Sequence, residues 1–241
     1  MKIPVFNLRE PVPVKKKKGN KIIVLATQKG GVGKSTIGIF AANHLTDKGI
    51  PIHVIDADPQ HSIVYKHKED MKEHPDIKPL YSVYPFDDLD NEEKTMALIA
   101  DMRKQDNDFI VDTPGNLSLQ GMIPLILEAD YIIAPFQYED TCLESLSDFI
   151  NLNIKVSNNA GREKPTKMIF VPNMHQKTWG TKIEVEKAKA YERSLNGIGI
   201  VSPKIPASPE LRRHSTLYTT IAQRNITSPC TNFIHSTIYK D

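Results

Sequence analysis

Lys21–Thr36 reads KIIVLATQKGGVGKST: an apolar run rich in β-branched residues, a turn with three glycines, then a lysine and two hydroxyl residues. The run is short enough for a strand, and Ser35 to about Lys48, closed by Gly49, has the length and ending of a helix. A Gly-rich loop between strand and helix turns backbone N–H groups and the positive helix end toward anions. Lys34 then stands where a lysine reaches a terminal phosphate, and Ser35 where a hydroxyl holds magnesium. The common spacing G-x-x-x-x-G-K-[ST] asks for glycine where Gln28 stands. What fits instead is K-G-G-x-G-K-[ST], with Lys29, Gly30, Gly31, Val32, Gly33, Lys34, Ser35 and Thr36 in the constrained places. A second lysine, Lys29, beside an anion-binding loop repels Lys34 unless more negative charge arrives than one lysine neutralises. Phosphates shared by both lysines supply that charge.

Outward from this loop the alternation recurs. Short β-rich runs stand at Ile52–Ile55, Leu80–Val83, Phe109–Val111, Tyr131–Ala134, Lys167–Val171 and Ile198–Val201. Helical stretches lie at Glu92–Lys104 behind an Asp90 cap, from about Thr141, at Lys182–Ser194 and, last, at Leu211–Ala222; the acidic segment after Ile55 reads as helical or irregular. This pattern predicts an α/β fold, a mostly parallel twisted sheet with helices on both faces, in one domain over residues 21–241. Residues 1–20, with Pro4, Pro11, Pro13 and four consecutive lysines at 15–18, read as an extended basic tail.

In open sheets of this class ligands sit at the carboxyl ends of the strands. Asp56 and Asp58 follow Ile52–Ile55 in the string Asp56-Ala57-Asp58-Pro59-Gln60, and Asp112 follows Phe109–Val111 ahead of Thr113-Pro114-Gly115. Each aspartate alone reads as a helix cap or turn residue. In this order after this loop they read together as the metal and positioning groups that phosphoryl transfer needs.

The loop and the two strand ends resemble the deviant Walker A family of partition and positioning ATPases that includes ParA and MinD, over about residues 21–224 and most closely up to Asp112. The resemblance implies ATP and Mg2+ as cofactors. It implies that Lys29 reaches across a two-fold interface to the partner's nucleotide, so that ATP, and not ADP, holds a face-to-face homodimer. By the same resemblance Asp58 positions the attacking water, Asp56 helps organise the magnesium shell and Asp112 is the Walker B carboxylate, acting through water. Asn173, after Met168–Pro172, matches the place where relatives read adenine, although a capping or turn asparagine fits the sequence equally. Pro206, in Lys204-Ile205-Pro206-Ala207-Ser208-Pro209, falls where relatives carry a loop against the base.

Charge narrows the choice within the family. The net charge is only +2, yet residues 21–160 carry twelve Lys/Arg against twenty-two Asp/Glu, and residues 161–224 twelve against five. An acidic half joined to a basic half suits a polyanionic partner. Relatives of the ParA type bind DNA non-specifically as the ATP dimer, and Arg212, Arg213, Arg224, Lys182 and Lys187 are the candidates here, with Arg162, Lys164 and Lys189 adding to the excess. Arg212 and Arg213 read equally as a solvated helix end or an ion pair. The stretch Pro229–Asp241 lacks the basic face of a membrane-binding helix, no apolar run approaches the roughly 20 residues that span a bilayer, and the start has the wrong order for a signal peptide. Cys142 and Cys230 have no metal or cluster spacing. Too little chain precedes the first strand for an operator-binding domain of the larger ParA proteins. The expectation is a small ParA-type ATPase, cytoplasmic and nucleoid-associated, that partitions DNA or positions cargo and is released by a ParB-like partner. A dethiobiotin-synthetase-like metabolic enzyme and a MinD-like membrane-positioning ATPase are the alternatives, both disfavoured by the features above.

Overall fold

A computed structural model describes residues 19–116, 119–176 and 180–239; the lysine run at 15–18, the expected tail up to residue 18, and Trp179 lie outside the described residues. Among the described residues, strands β1 (Ile22–Leu25), β2 (Ile52–Asp56), β3 (Ser82–Pro85), β4 (Asp108–Asp112), β5 (Tyr131–Phe136), β6 (Met168–Pro172) and β7 (Ile200–Val201) form one sheet in the order β3-β2-β4-β1-β5-β6-β7. Every strand pairing is parallel.

The helices are α1 (Lys34–Asp47), α2 (Ser62–Glu73), α3 (Glu92–Arg103), α4 (Met122–Glu128), α5 (Asp140–Asn159), α6 (Lys182–Asn196) and α7 (Ile221–Ile238). Because strand side chains alternate between faces, β1 feeds two cores at once. Ile22 and Val24 join a cluster with Ile99 and Met102 of α3, Leu125 of α4 and Phe149 of α5. Ile23 and Leu25 join another with Ile37 and Phe40 of α1, Ile63 of α2 and Ile234 of α7. All four β1 residues are fully buried, each worth roughly 1.5–3 kcal/mol relative to exposure. That is why the strand reads as an unbroken apolar run.

The expected boundaries need four corrections. The cap of α3 is Asn91, whose side chain accepts from Lys94 N at 3.0 Å, one residue beyond Asp90. The third strand lies two residues beyond Leu80–Val83, and α4 had no expectation at all. The expected last helix at Leu211–Ala222 is instead a 3-10 turn, Pro209–Arg213, an extended link, and α7 starting at Ile221. Thr220 and Gln223 set that start by a reciprocal capping box, bonding side chain to backbone at 3.2 and 3.0 Å. Arg212 and Arg213 therefore sit on the turn rather than at the head of the helix. Among the described residues no helix is long and apolar enough to cross a membrane.

Candidate functional site

The loop from Ala26 to Gly33 crosses the carboxyl end of the sheet beside β4. Gly33 caps α1 with φ 92 and ψ 28 and no side-chain hydrogen bond, a left-handed backbone that favours glycine. A Cβ there would stand 2.4 Å from Asn173 Nδ2. The first N–H groups of α1 are thus left to an incoming anion. Gly30 and Gly31 border open space, whereas Val32 is buried and its carbonyl accepts from Asn173 Nδ2 at 2.7 Å. Lys34 is only 7% exposed and folds back to donate to Lys29 O at 3.1 Å. Burial pushes its pKa down, against the pull of Asp112 and Asp58.

The carboxylates meet this loop as the strand order dictates. Asp56 and Asp112 are register partners on adjacent strands, and both are fully buried. Ser35 donates its hydroxyl to Asp112 Oδ2 at 2.5 Å, and the Ser62 hydroxyl lies 3.3 Å from that of Ser35. Burial pushes the Asp112 carboxyl up to about 7, with the hydrogen bond from Ser35 opposing and Asp56 adding. Asp56 Oδ2 accepts from Ile63 N and Val64 N, both at 3.0 Å, so it fastens the start of α2 as well as facing the loop; burial still raises its pKa. Asp58 makes a turn of its own, accepting from Gln60 N at 2.9 Å. The next residue but two, His61, holds φ 46. Gly115, just past Asp112, packs so closely that a Cβ would stand 2.9 Å from Gly30 N.

One oxygen of Asp56 and one of Asp112, Oδ1 in each, is buried without a hydrogen-bond partner among the described residues. Lys34, buried within reach of the Asp112 and Asp58 charges, and two buried carboxylates each with an orphaned oxygen make a lining that fits a magnesium-bound polyphosphate. Ser35, Asp112 and Asp56 fit Mg2+ as a hydroxyl and water-mediated carboxylates. Among the described residues no cage of three or more His, Cys, Asp or Glu forms, and an ion that keeps its waters and takes phosphate oxygens needs none.

Lys29 is placed apart from Lys34. Its ammonium is at the surface, donating to Thr141 Oγ1 in the first turn of α5 at 3.2 Å. Nothing local in the sequence marks Thr141, because the contact joins residues 112 positions apart. Beside the loop opens a cavity of about 510 Å³ lined by Thr36, Asn173, Pro206, Tyr138, His175 and Arg212, among others. The two expected base-side residues are therefore brought together, although the amide nitrogen of Asn173 is engaged by the loop carbonyl.

The basic candidates divide. Arg224 pairs with Asp47 at 2.9 Å, Lys189 with Glu186, Arg162 with Glu128 and Lys204 with Glu192, so much of the excess is neutralised within the chain. Arg213 has only a 4.0 Å approach to Glu210. Arg212, Lys182 and Lys187 are exposed, and no ion pair involves them among the described residues.

The sequence model of the CobQ/CobB/MinD/ParA nucleotide binding domain matches residues 23–217. A curated relative, Protein ParA of Rhizobium radiobacter, is 40% identical over 42 residues, 17% of this chain; the match spans only 19% of that protein. Among solved structures, the Cyanothece McdA–ATP complex superposes with a TM-score of 0.70 at 15% identity, over 91% of this chain and 96% of that one. A plasmid partition protein of Borrelia burgdorferi bound to AMPPNP gives 0.67 at 17% identity, over 91% and 100%. The pNOB8 ParA bound to nonspecific DNA gives 0.62 at 14% identity, over 91% and 97%. At these identities the likeness is one of fold.

Proposed function

The chain belongs to the CobQ/CobB/MinD/ParA nucleotide-binding family, and we propose that within it this protein is a ParA-type ATPase whose ATP-bound homodimer binds DNA without sequence preference. One observation carries the reading: of two lysines on a single phosphate loop, Lys34 is buried inside the site while Lys29 stays at its mouth under one hydroxyl. A lysine needed only for its own nucleotide has no reason to stand there. At the mouth it is placed for phosphates presented by a second copy.

In this reading the N–H groups of the loop and Lys34 neutralise the phosphates, which is where phosphoryl transfer needs positive charge. Ser35, Asp112 and Asp56 would hold Mg2+, which would neutralise charge on the phosphates. Asp58 orients the attacking water. In this reading unstimulated turnover is slow, and a ParB-like partner accelerates it. Thr36, Asn173 and Pro206 border the base.

DNA is held by Arg212, Arg213, Lys182 and Lys187 through phosphate contacts; Arg224, engaged by Asp47, contributes least. Partition of DNA or positioning of cargo on the nucleoid, in the cytoplasm and away from membranes, follows from such a cycle. It also agrees with α7, where Arg224 is the one Lys or Arg and Cys230, Ile234 and Ile238 are buried in the core. The test is DNA binding with ATP, ADP and no nucleotide across a salt series. The expected result is tight binding with ATP alone, with log K falling linearly in log salt. Equal affinity in ATP and ADP would remove the switch.

A further inference from the structure

The segment Pro209–Thr220 carries Arg212 and Arg213, and side chains with no part in phosphate chemistry hold it from three helices. From α1, Asn43, 1% exposed, donates its amide to Ser215 O at 2.9 Å, Tyr218 O at 3.2 Å and Thr219 Oγ1 at 3.0 Å. From α2, Asp70 accepts from Thr216 N at 2.7 Å and from the Thr216 hydroxyl at 2.9 Å, and pairs with Lys66 at 2.8 Å. The Thr216 proton goes to Asp70, so His67 Nδ1, 2.8 Å from the same oxygen, is the donor there. From α7, Gln223 donates to Glu210 O and Arg213 O, both at 3.0 Å. Thr216 is fully buried and Asp70 only 2% exposed.

The first two of these helices both begin at the phosphate site. Lys34 and Ser35 open α1. The start of α2 is fastened by Asp56 through Ile63 N and Val64 N. At a rise of about 1.5 Å per residue, Asn43 lies roughly 12 Å along α1 from Ser35, and Asp70 roughly 12 Å along α2 from Ser62. A regular helix passes a displacement of one end to the other, because packed elements shift as bodies. A buried carboxylate is costly to strip of its donors. The segment therefore follows α2 instead of parting from it.

We propose that Thr216, through Asp70 and His67, is a positioning residue that ties Arg212 and Arg213 to the Asp56–Asp58 end of the sheet, so that the terminal phosphate of the nucleotide sets where the two guanidinium groups stand. This tie presupposes the DNA-binding reading above for its effect on affinity, and adds the side chains that carry the signal.

The test uses the full chain, Thr216→Val, which keeps shape and the backbone bond to Asp70 but removes the hydroxyl, and Thr216→Ser as the restoring variant. Amide hydrogen exchange over residues 211–220 is compared between ADP and a non-hydrolysable ATP analogue without DNA, and duplex binding is measured in the same nucleotides. In the wild type the analogue changes exchange across the segment. Thr216→Val loses that difference while binding the analogue within about twofold of wild type, and its ATP-over-ADP preference for DNA falls about tenfold, within the usual range of coupling between sites. Thr216→Ser restores both. Asp70→Asn, which weakens the bond from the other side, shrinks the exchange difference independently. A difference in Thr216→Val or Asp70→Asn equal to that of the wild type overturns the tie, as does its absence from the wild type. If the exchange results hold but Arg212→Ala/Arg213→Ala binds DNA like the wild type, the tie stands and the DNA role of these arginines falls.

Discussion

Around the β1–α1 loop, one buried oxygen each of Asp56 and Asp112 has no hydrogen-bond partner among the described residues, and a buried lysine folds back on its own loop. Around Pro209–Thr220 the buried charge is met within the chain: Asp70 accepts twice from Thr216 and pairs with Lys66, and Asn43 Nδ2, His67 and Gln223 add further bonds, with Asn43 Oδ1 the one atom of this grip unpartnered among the described residues. The first region presents buried charge that a ligand of opposite sign would meet; the second meets its buried charge from within the chain. Unsatisfied buried charge marks the place where stability has been given up for function.

The largest effect that would break this contrast is on Lys34. Lys34→Ala should lower ATP affinity about 100-fold, ~3 kcal/mol, without lowering the melting temperature, because the buried ammonium is unfavourable until phosphate arrives. Calorimetric titration beside thermal melting checks both halves; affinity within threefold of wild type would mean the loop does not depend on that charge. Next comes Gly115→Ala. Its methyl would press on the backbone of Gly30 and should cost on the order of 2 kcal/mol in denaturant unfolding. No cost would show that the end of β4 does not brace the loop.

A smaller effect links the regions through the back of α1. Burial, with Lys48, His235 and Arg224 adding, pushes the His44 imidazole down to about 4. Its folded pKa is below its unfolded one, so the unfolded chain takes up the proton first. Stability is complete above about pH 6.5 and declines as pH falls toward 4. The loss, discounted for the partial exposure of the ring, should be on the order of 1–2 kcal/mol by pH 4.5, and His44→Gln should remove that part of the slope in urea unfolding at stepped pH. Smallest of all, Arg224→Ala should change DNA affinity less than about twofold, since Asp47 already engages the guanidinium. The Arg212→Ala/Arg213→Ala pair should flatten the salt slope by about two per protomer of the dimer.

What the sequence disclosed follows the same division. A phosphate loop is a local object: strand, three glycines, Lys34 and Ser35 are contiguous, and β2 and β4 end in aspartates whose order alone suggests a site. A mostly parallel sheet was legible for a similar reason, since strands buried on both faces have little choice but unbroken apolar runs. The grip on Pro209–Thr220 was not legible, because Asn43 and Asp70 sit on helices where polar residues normally face water, and Thr216 is 146 positions from its partner. Only the fold brings them together. The shift of the last helix was a different failure, since the capping pair Thr220 and Gln223 was there to be read. Gly115 was likewise in view, and only its distance to Gly30 gave it a role.

The central claim is that Lys29 serves a second copy of the chain, and the particle mass in solution tests it most directly. Light scattering on the 27.2 kDa chain should give a dimer with ATP and a monomer with ADP, with Asp58→Ala prolonging the dimer and Lys29→Ala remaining a monomer although it still binds ATP. A Lys29→Ala protein that dimerises with ATP as fully as the wild type, or a wild type that stays monomeric with ATP, would contradict it.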